Sequence, residues 1–168
     1  MYTNDIHRLV DELKEKFHTD NPFEIADISG ITIIYKPFKK LKGMYLVSGR
    51  CAFIYLCDNL DEFMSNIIVF HELGHHFLHK HLAVSSFQEC SLYDMKSKPE
   101  MEANIFAANY MISDQDVFSY AQKGFTTEQT AHSLCVPHEM LLIKLKDMDS
   151  RGYNLKLDYI PRADFLGR

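Results

Sequence analysis

Hydrophobic positions near the start of the chain are spaced three and four residues apart. This spacing places them on one face of an amphipathic helix, which should begin at Thr3 or Asn4 and end near Phe17. The buried face of that helix would consist of Ile6, Leu9, Val10, Leu13 and Phe17. Asn21-Pro22 then interrupts the helical pattern.

The hydrophobic period changes to two after a short helical turn expected at residues 22–26. Alternation of this kind is typical of β-strands with one buried face. Three strands are predicted, at residues 31–37, 43–47 and 51–56. A lysine-rich link and a turn at Ser48-Gly49 join them, and such short connections predict an antiparallel meander.

The remaining pattern is mostly helical. Residues 62–79 should form a helix with Asp61 as its N-cap, and Pro99 is placed to open another helix over residues 99–111. Shorter helices are predicted at residues 114–122, 127–134 and 137–148. This order predicts an α+β fold in which an N-terminal helix and a small three-stranded antiparallel sheet precede a mostly helical C-terminal part.

The length and composition fit one main domain with a substantial core. The chain has 168 residues, of which 46% are hydrophobic and 24% are charged. We divide it into a main domain at residues 1–125, a helical hairpin at 126–150 that packs on this domain, and a tail at 151–168. The tail shows only a weak pattern and is not assigned to an element.

The charge and the cysteines restrict the setting in which the protein works. A net charge of −5 argues against a broad phosphate-binding surface, so nucleic acid is an unlikely partner. No apolar run reaches the ~18 residues of a membrane span, and the N-terminal helix lacks the apolar core of a signal peptide. No C-x-x-C pair occurs, which predicts a reducing, cytoplasmic location with four free thiols: Cys51, Cys57, Cys90 and Cys135.

The segment His71-Glu72-Leu73-Gly74-His75 carries the clearest chemical signal. It matches H-E-x-x-H and lies on the helix predicted at 62–79. Positions i and i+4 of a helix are about 40° apart around its axis, so His71 and His75 can donate to one Zn²⁺. Glu72 lies about 100° from His71 and can reach a water at the metal without being a ligand. The segment indicates a metal-dependent hydrolase.

A third protein ligand is needed, because a catalytic zinc site normally has three protein ligands and one water. The candidates after the motif are His76, His79, His81, Glu89, Asp94, Glu100 and Glu102. His76 faces away from His71, whereas His79 extends the ligand face by one turn and could line the site. A Glu from a separate helix is the better interpretation.

Glu100 and Glu102 compete for this role. They are about 200° apart on one helix, so both cannot face the same ion. Small residues flank Glu100 and would let its helix press against Gly74, and Asn104 could hydrogen-bond a ligand. Geometry therefore favours Glu100 without excluding Glu102. The carboxylate that is not a ligand would be solvated at the surface.

Residues 71–79, HELGHHFLH, together with Glu100 and the run ANIFAA at 103–108, resemble the ImmA/IrrE family of bacterial metallopeptidases. That family shows HExGHxxLH, then a Glu four residues before the Asn of an A-N-x-F-A-type helix. The likeness extends from about residue 20 to 148. The sequence departs from it at Ile112-Ser113, where many relatives have Met-Pro.

The resemblance implies a zincin-like fold with His71, His75 and Glu100 as metal ligands and Glu72 as the catalytic carboxylate. Zn²⁺ is the expected metal, although Mn²⁺ or Fe²⁺ would fit the same ligands. Members of the family are often encoded by prophages and integrative elements and act as anti-repressors. The resemblance therefore implies a zinc-dependent endopeptidase that cleaves an Xre-type helix-turn-helix repressor and so derepresses genes.

A second donor to the developing oxyanion is usual in such sites. The candidates are His79, His81, Tyr93 and Tyr110, each of which could instead be a packing or surface residue. The substrate would lie extended along an exposed edge of the sheet.

Two other classes of function remain open. The helices predicted at 127–134 and 137–148 resemble a helix-turn-helix, which would suit a DNA-binding protein. The second helix carries Glu139 and Asp147 beside Lys144 and Lys146, however, and so lacks a clear basic face. The other alternative is a metal-binding regulator that binds its partner without cutting it.

Overall fold

A computed structural model describes residues 3–80 and 97–153 of the chain. Within these ranges the N-terminal half contains two helices, a sheet and a long helix: α1 (Thr3–Phe17), α2 (Pro22–Ile28), β1 (Ile31–Lys36), β2 (Gly43–Ser48), β3 (Cys51–Cys57) and α3 (Glu62–His79). The C-terminal half is helical: α4 (Lys98–Met111), α5 (Asp114–Gln122), α6 (Thr127–Ser133) and α7 (His138–Ser150). The α+β class predicted from the sequence is confirmed.

Side-chain hydrogen bonds cap the first turns of several helices. Asp61 accepts a hydrogen bond of 2.7 Å from the backbone N–H of Met64 and so begins α3 where the sequence predicts. Ser97 caps α4, and Pro99 lies in its first turn. Thr126 and Gln129 form a capping box at the start of α6.

The sheet is mixed, so the predicted antiparallel meander is wrong. The strand order is β1-β3-β2, with β3 parallel to β1 and antiparallel to β2. The prediction assumed that the short link at residues 37–42 joins neighbouring strands. Each extended residue covers about 3.3 Å, so this link easily spans the roughly 10 Å between strands two positions apart. β3 then returns through the turn at Gly49 and fills the gap.

Helices α3 and α4 pack closely where the sequence predicts. A side chain at Gly74 would place its Cβ 3.0 Å from Ala103 Cα and 3.2 Å from Ala103 O. The glycine therefore lets the two backbones approach at the first turns of α4. This contact brings the turn of α3 that carries His71 and His75 beside the start of α4.

The last helix of the hairpin is part of the same core. On α7 the side chains of residues 140–145 are all buried, as are Asp147 and Met148. This helix packs mainly against α4 and α6.

Several sequence predictions fall outside the described residues: they concern His81, Glu89, Cys90, Tyr93, Asp94 and nearly all of the tail. Among the described residues, Cys51, Cys57 and Cys135 are free thiols. Within residues 3–80 and 97–153, each helix is too short or too polar to cross a lipid bilayer.

Candidate metal centre

Three side chains from α3 and α4 converge on one point. Nε2 of His71 lies 3.1 Å from Nε2 of His75. The Glu100 carboxylate completes a triangle, with Oε2 at 3.2 Å from His71 Nε2 and Oε1 at 3.3 Å from His75 Nε2. Among the described residues this is the group of His, Cys, Asp and Glu side chains that could hold a metal ion.

The size of this triangle fits a tetrahedral cation. Metal–ligand bonds of about 2.0–2.2 Å at tetrahedral angles hold the ligand atoms about 3.3–3.5 Å apart. The observed separations of 3.1 to 3.3 Å are close to that value. Oε2 of Glu100 is buried and accepts no well-aligned hydrogen bond from the residues that the structure describes. Two imidazole nitrogens and one carboxylate also make a donor set that divalent cations prefer.

The protonation of His71 is suited to metal binding. Its Nδ1 lies 2.9 Å from Oδ1 of Asn104, which only accepts hydrogen bonds, so Nδ1 carries the proton. Nε2 then keeps the lone pair that a metal needs. Asn104 is fully buried, one turn after Glu100 on α4. It therefore supplies the hydrogen bond that the sequence suggested for this position.

Glu100 is held in its anionic form. Burial would raise the pKa of Glu100, but in the metal-free site the adjacent imidazoles of His71 and His75, when protonated, outweigh that effect and lower the pKa to about 2. The side chain is therefore a carboxylate over the whole range of physiological pH.

Glu72 lies beside the first residue of β2. It is 1% exposed, and a Cβ built at Gly43 would lie 2.9 Å from its Oε1 and would overlap Ile68 Cγ2. The glycine thus leaves space for the carboxylate between α3 and the strand. Sequence reasoning missed this role of Gly43, because the pairing of β2 with α3 is not visible in the local pattern.

Glu102 is not the solvated carboxylate that the sequence suggested. It is 6% exposed, and its Oε2 lies 2.7 Å from Nε2 of His79. The prediction was wrong because His79 reaches across to α4 and removes Glu102 from water. The spacing of four between His71, His75 and His79 could have indicated that His79 lies on the same face of α3 and is available to contact Glu102.

The other candidate residues lie elsewhere. Nδ1 of His76 lies 2.8 Å from the Tyr45 hydroxyl, and His76 is not among the three side chains that converge. Tyr110 is 2% exposed and its ring stacks on Phe70, so it is a packing residue. His79 contacts His75 through Nδ1 and Glu102 through Nε2. A second oxyanion donor is therefore not assigned.

Comparison with known proteins agrees with this geometry. Residues 26–146 match the family of IrrE N-terminal-like domains, which is peptidase family M78. The chain is 32% identical over 144 residues to "Uncharacterized immunity region protein 2" of Bacillus phage phi105, covering 85% of this chain and 89% of the phage protein. It is 32% identical over 138 residues to "Metallopeptidase ImmA" of Bacillus subtilis (strain 168), covering 79% of each.

The match to the family spans most of the chain and includes the two histidines of α3 and the glutamate of α4. Both relatives align over more than three quarters of this chain. The chain therefore belongs to the ImmA/IrrE family of metallopeptidases.

Proposed function

We propose that this protein is a zinc-dependent endopeptidase in which His71, His75 and Glu100 hold the metal and Glu72 acts as general acid and base. The observation that carries the proposal is the convergence of the three ligand atoms within 3.1 to 3.3 Å of each other. Zinc is preferred over Mn²⁺ or Fe²⁺ because two imidazoles and one carboxylate are a common zinc-hydrolase ligand set.

A bound zinc ion would supply Lewis-acid chemistry, polarising the scissile carbonyl and lowering the pKa of a water. The protein's own residues supply the remaining functions. The Glu72 carboxylate accepts a proton from the attacking water and delivers it to the leaving amine nitrogen. Asn104 orients the imidazole of His71 through the hydrogen bond to Nδ1.

The substrate is proposed to bind as an extended strand along β2. In the part of the chain that the structure describes, β2 pairs only with β3, so its other edge is available for main-chain hydrogen bonds. This strand starts at Gly43, against Glu72. A peptide added at that edge would therefore run past the proposed catalytic carboxylate.

We propose that the substrate is an Xre-type helix-turn-helix repressor, whose cleavage derepresses genes of a mobile element. Family membership supports a protein substrate. The name of the phage relative, an immunity region protein, supports a role in phage regulation. A cytoplasmic location is part of the proposal, because a DNA-bound repressor is found there.

The DNA-binding alternative is disfavoured by the burial of α7. A recognition helix needs an exposed face to enter the major groove. On α7, residues 140–145 are buried, and Lys144 is 0% exposed. A regulator that binds its partner without cutting it remains as the second candidate, because intact ligands do not by themselves produce turnover.

The test is incubation of the zinc-loaded full-length chain with a purified Xre-type repressor from the same genome, followed by mass spectrometry. We expect two repressor fragments with wild type and none with Glu72→Gln, which should still bind one equivalent of zinc. An intact repressor held in a stable complex with wild type would favour the non-cleaving regulator. Undiminished cleavage by Glu72→Gln would remove the role given to Glu72.

A further inference from the structure

A chain of three polar side chains lies behind the proposed metal ligand His75. Nδ1 of His75 lies 3.3 Å from Nδ1 of His79, and Nε2 of His79 lies 2.7 Å from Oε2 of Glu102. His79 and Glu102 are 6% exposed each, and the chain is therefore almost closed to solvent. It connects the last two turns of α3 with the second turn of α4.

The donors and acceptors along this chain can be arranged in one direction. A carboxylate only accepts hydrogen bonds, so His79 must carry a proton on Nε2. A neutral imidazole with a proton on Nε2 has a lone pair on Nδ1. That lone pair can accept only from a protonated Nδ1 of His75, which leaves Nε2 of His75 as the electron-pair donor.

The same arrangement is reached independently at the other histidine. His71 donates from Nδ1 to Asn104 Oδ1, so its Nε2 also carries the lone pair. In these neutral tautomers both lone pairs face the space between the two Nε2 atoms and the Glu100 carboxylate, where a cation would lie. The two histidines thus have separate acceptors: for His71 an amide on α4, and for His75 an imidazole on α3 that is itself linked to a carboxylate of α4.

The burial of Glu102 and His79 needs an explanation beyond stability. A buried carboxylate–imidazole pair costs desolvation energy and often stabilises a protein less than apolar residues of similar volume would. Glu102 also forms an ion pair with Lys98, whose Nζ lies 3.9 Å from the carboxylate and whose side chain is 67% exposed. Fixing the tautomer and orientation of the His75 imidazole would be a function for the buried pair of His79 and Glu102.

We propose that Glu102 and His79 are positioning residues that fix the tautomer and ring orientation of His75, so that its Nε2 binds the metal. The inference rests on the ligand set of the proposed function. Hydrogen-bonded partners of metal-bound histidines raise their basicity and typically change metal affinity by about 10–100-fold when removed.

The test compares three replacements of His79 in the full-length protein. His79→Leu removes both nitrogens. His79→Gln keeps a donor near Glu102 but places no acceptor at the δ position, whereas His79→Asn keeps an oxygen acceptor beside His75 Nδ1. We expect the dissociation constant for Zn²⁺, measured by chelator competition, to rise about 10–100-fold in Leu and Gln and to be largely restored in Asn.

A spectroscopic readout separates this role from a merely structural one. In the zinc-bound wild type, ¹⁵N-edited NMR of the imidazoles should show His75 metal-bound at Nε2 with a slowly exchanging proton on Nδ1. That proton signal should be lost in His79→Leu and His79→Gln and retained in His79→Asn. His79→Gln keeps the contact with Glu102 and so remains informative if His79→Leu does not fold.

His76→Phe is the matched control, because His76 is a neighbouring histidine on α3 whose hydrogen bond goes to Tyr45. It should leave zinc affinity and the His75 signal unchanged. Wild-type affinity in both His79→Leu and His79→Gln, or equal weakening in all three replacements, would overturn the proposed positioning. A wild-type chain that binds no zinc would instead overturn the proposed function itself.

Discussion

The side chain missing at Gly43 determines where the Glu72 carboxylate can lie. Strand β2 starts directly against α3, and any Cβ at this position would overlap Ile68 and crowd Oε1 of Glu72. Ile68 is fully buried and branched at Cβ, so it cannot move aside cheaply. The absence of a side chain at Gly43 therefore allows β2 and the proposed general base Glu72 to lie in contact.

Gly43→Ala should reduce turnover more than it reduces metal binding. The new methyl group displaces Glu72, and a misplacement of about 1 Å can cost on the order of 100-fold in rate. The measurement is kcat for repressor cleavage beside zinc affinity for the same variant. Gln122→Ala, at an exposed position at the end of α5, is the control and should change neither quantity. Full activity of Gly43→Ala would mean that Glu72 tolerates the shift.

At the scale of elements, the contact between α3 and α4 assembles the site. Two of the proposed ligands come from one turn of α3 and the third from the first turn of α4, so the spacing of the helices sets the size of the triangle. Gly74 and Ala103 hold the backbones at close range. A larger residue at either position would separate the carboxylate from the imidazoles.

Gly74→Val should destabilise the protein and weaken zinc binding together. Overpacking of a tight contact costs about 1–3 kcal/mol, because the backbone of Ala103 must move. Urea denaturation measures the free energy of unfolding, and chelator competition measures the zinc affinity. Ala121→Val, on an exposed site of α5, controls for the helix propensity of valine. Loss of stability with unchanged zinc affinity would show that helix spacing does not control the site.

Elements with local signals were predictable from the sequence, whereas their pairing was not. The bounds of α3 follow from Asp61 and the apolar period, and the face shared by His71 and His75 follows from helix geometry. The strand order and the burial of Glu102 depend on contacts between distant segments. A link of a few residues permits either topology, so the local pattern could not choose between them.

At the scale of the whole molecule, a buried polar cluster joins four helices at the end of α4 remote from Glu100. Asp114 binds Lys144 at 2.6 Å and both terminal nitrogens of Arg151 at 2.7 and 2.9 Å. Asn109 accepts from Lys144 and contacts His7 on α1. The C-terminal hairpin is thus connected to α4, which carries Glu100, by charged groups as well as by apolar side chains.

Asp114→Asn should destabilise the protein by about 3–5 kcal/mol at neutral pH, because it leaves the buried Lys144 without its carboxylate partner. Burial would raise the pKa of Asp114, but Arg151 and Lys144 outweigh it and hold the pKa well below the usual range. The folded pKa is lower than the unfolded one. The stabilisation is therefore present above about pH 4 and is lost as the pH falls further.

Urea denaturation at several pH values measures this effect. The difference between wild type and Asp114→Asn should shrink progressively below about pH 4. Asp149→Asn, at an exposed position on α7, is the control and should behave as wild type throughout. If the difference in free energy of unfolding between wild type and Asp114→Asn stayed the same in acid, the loss of stability would be due to packing and not to charge.

The strand order also has a consequence for the sequence of events during synthesis. Of the three strands that the structure describes, β3 is the last to leave the ribosome, yet it occupies the middle of the sheet. Until residue 57 has emerged, β1 and β2 both lack their complete hydrogen-bonding partner. β1 ends at Lys36, whereas its partner β3 begins only at Cys51. The substrate-facing edge proposed for β2 is therefore created in a late step, when one central strand joins two outer strands at once.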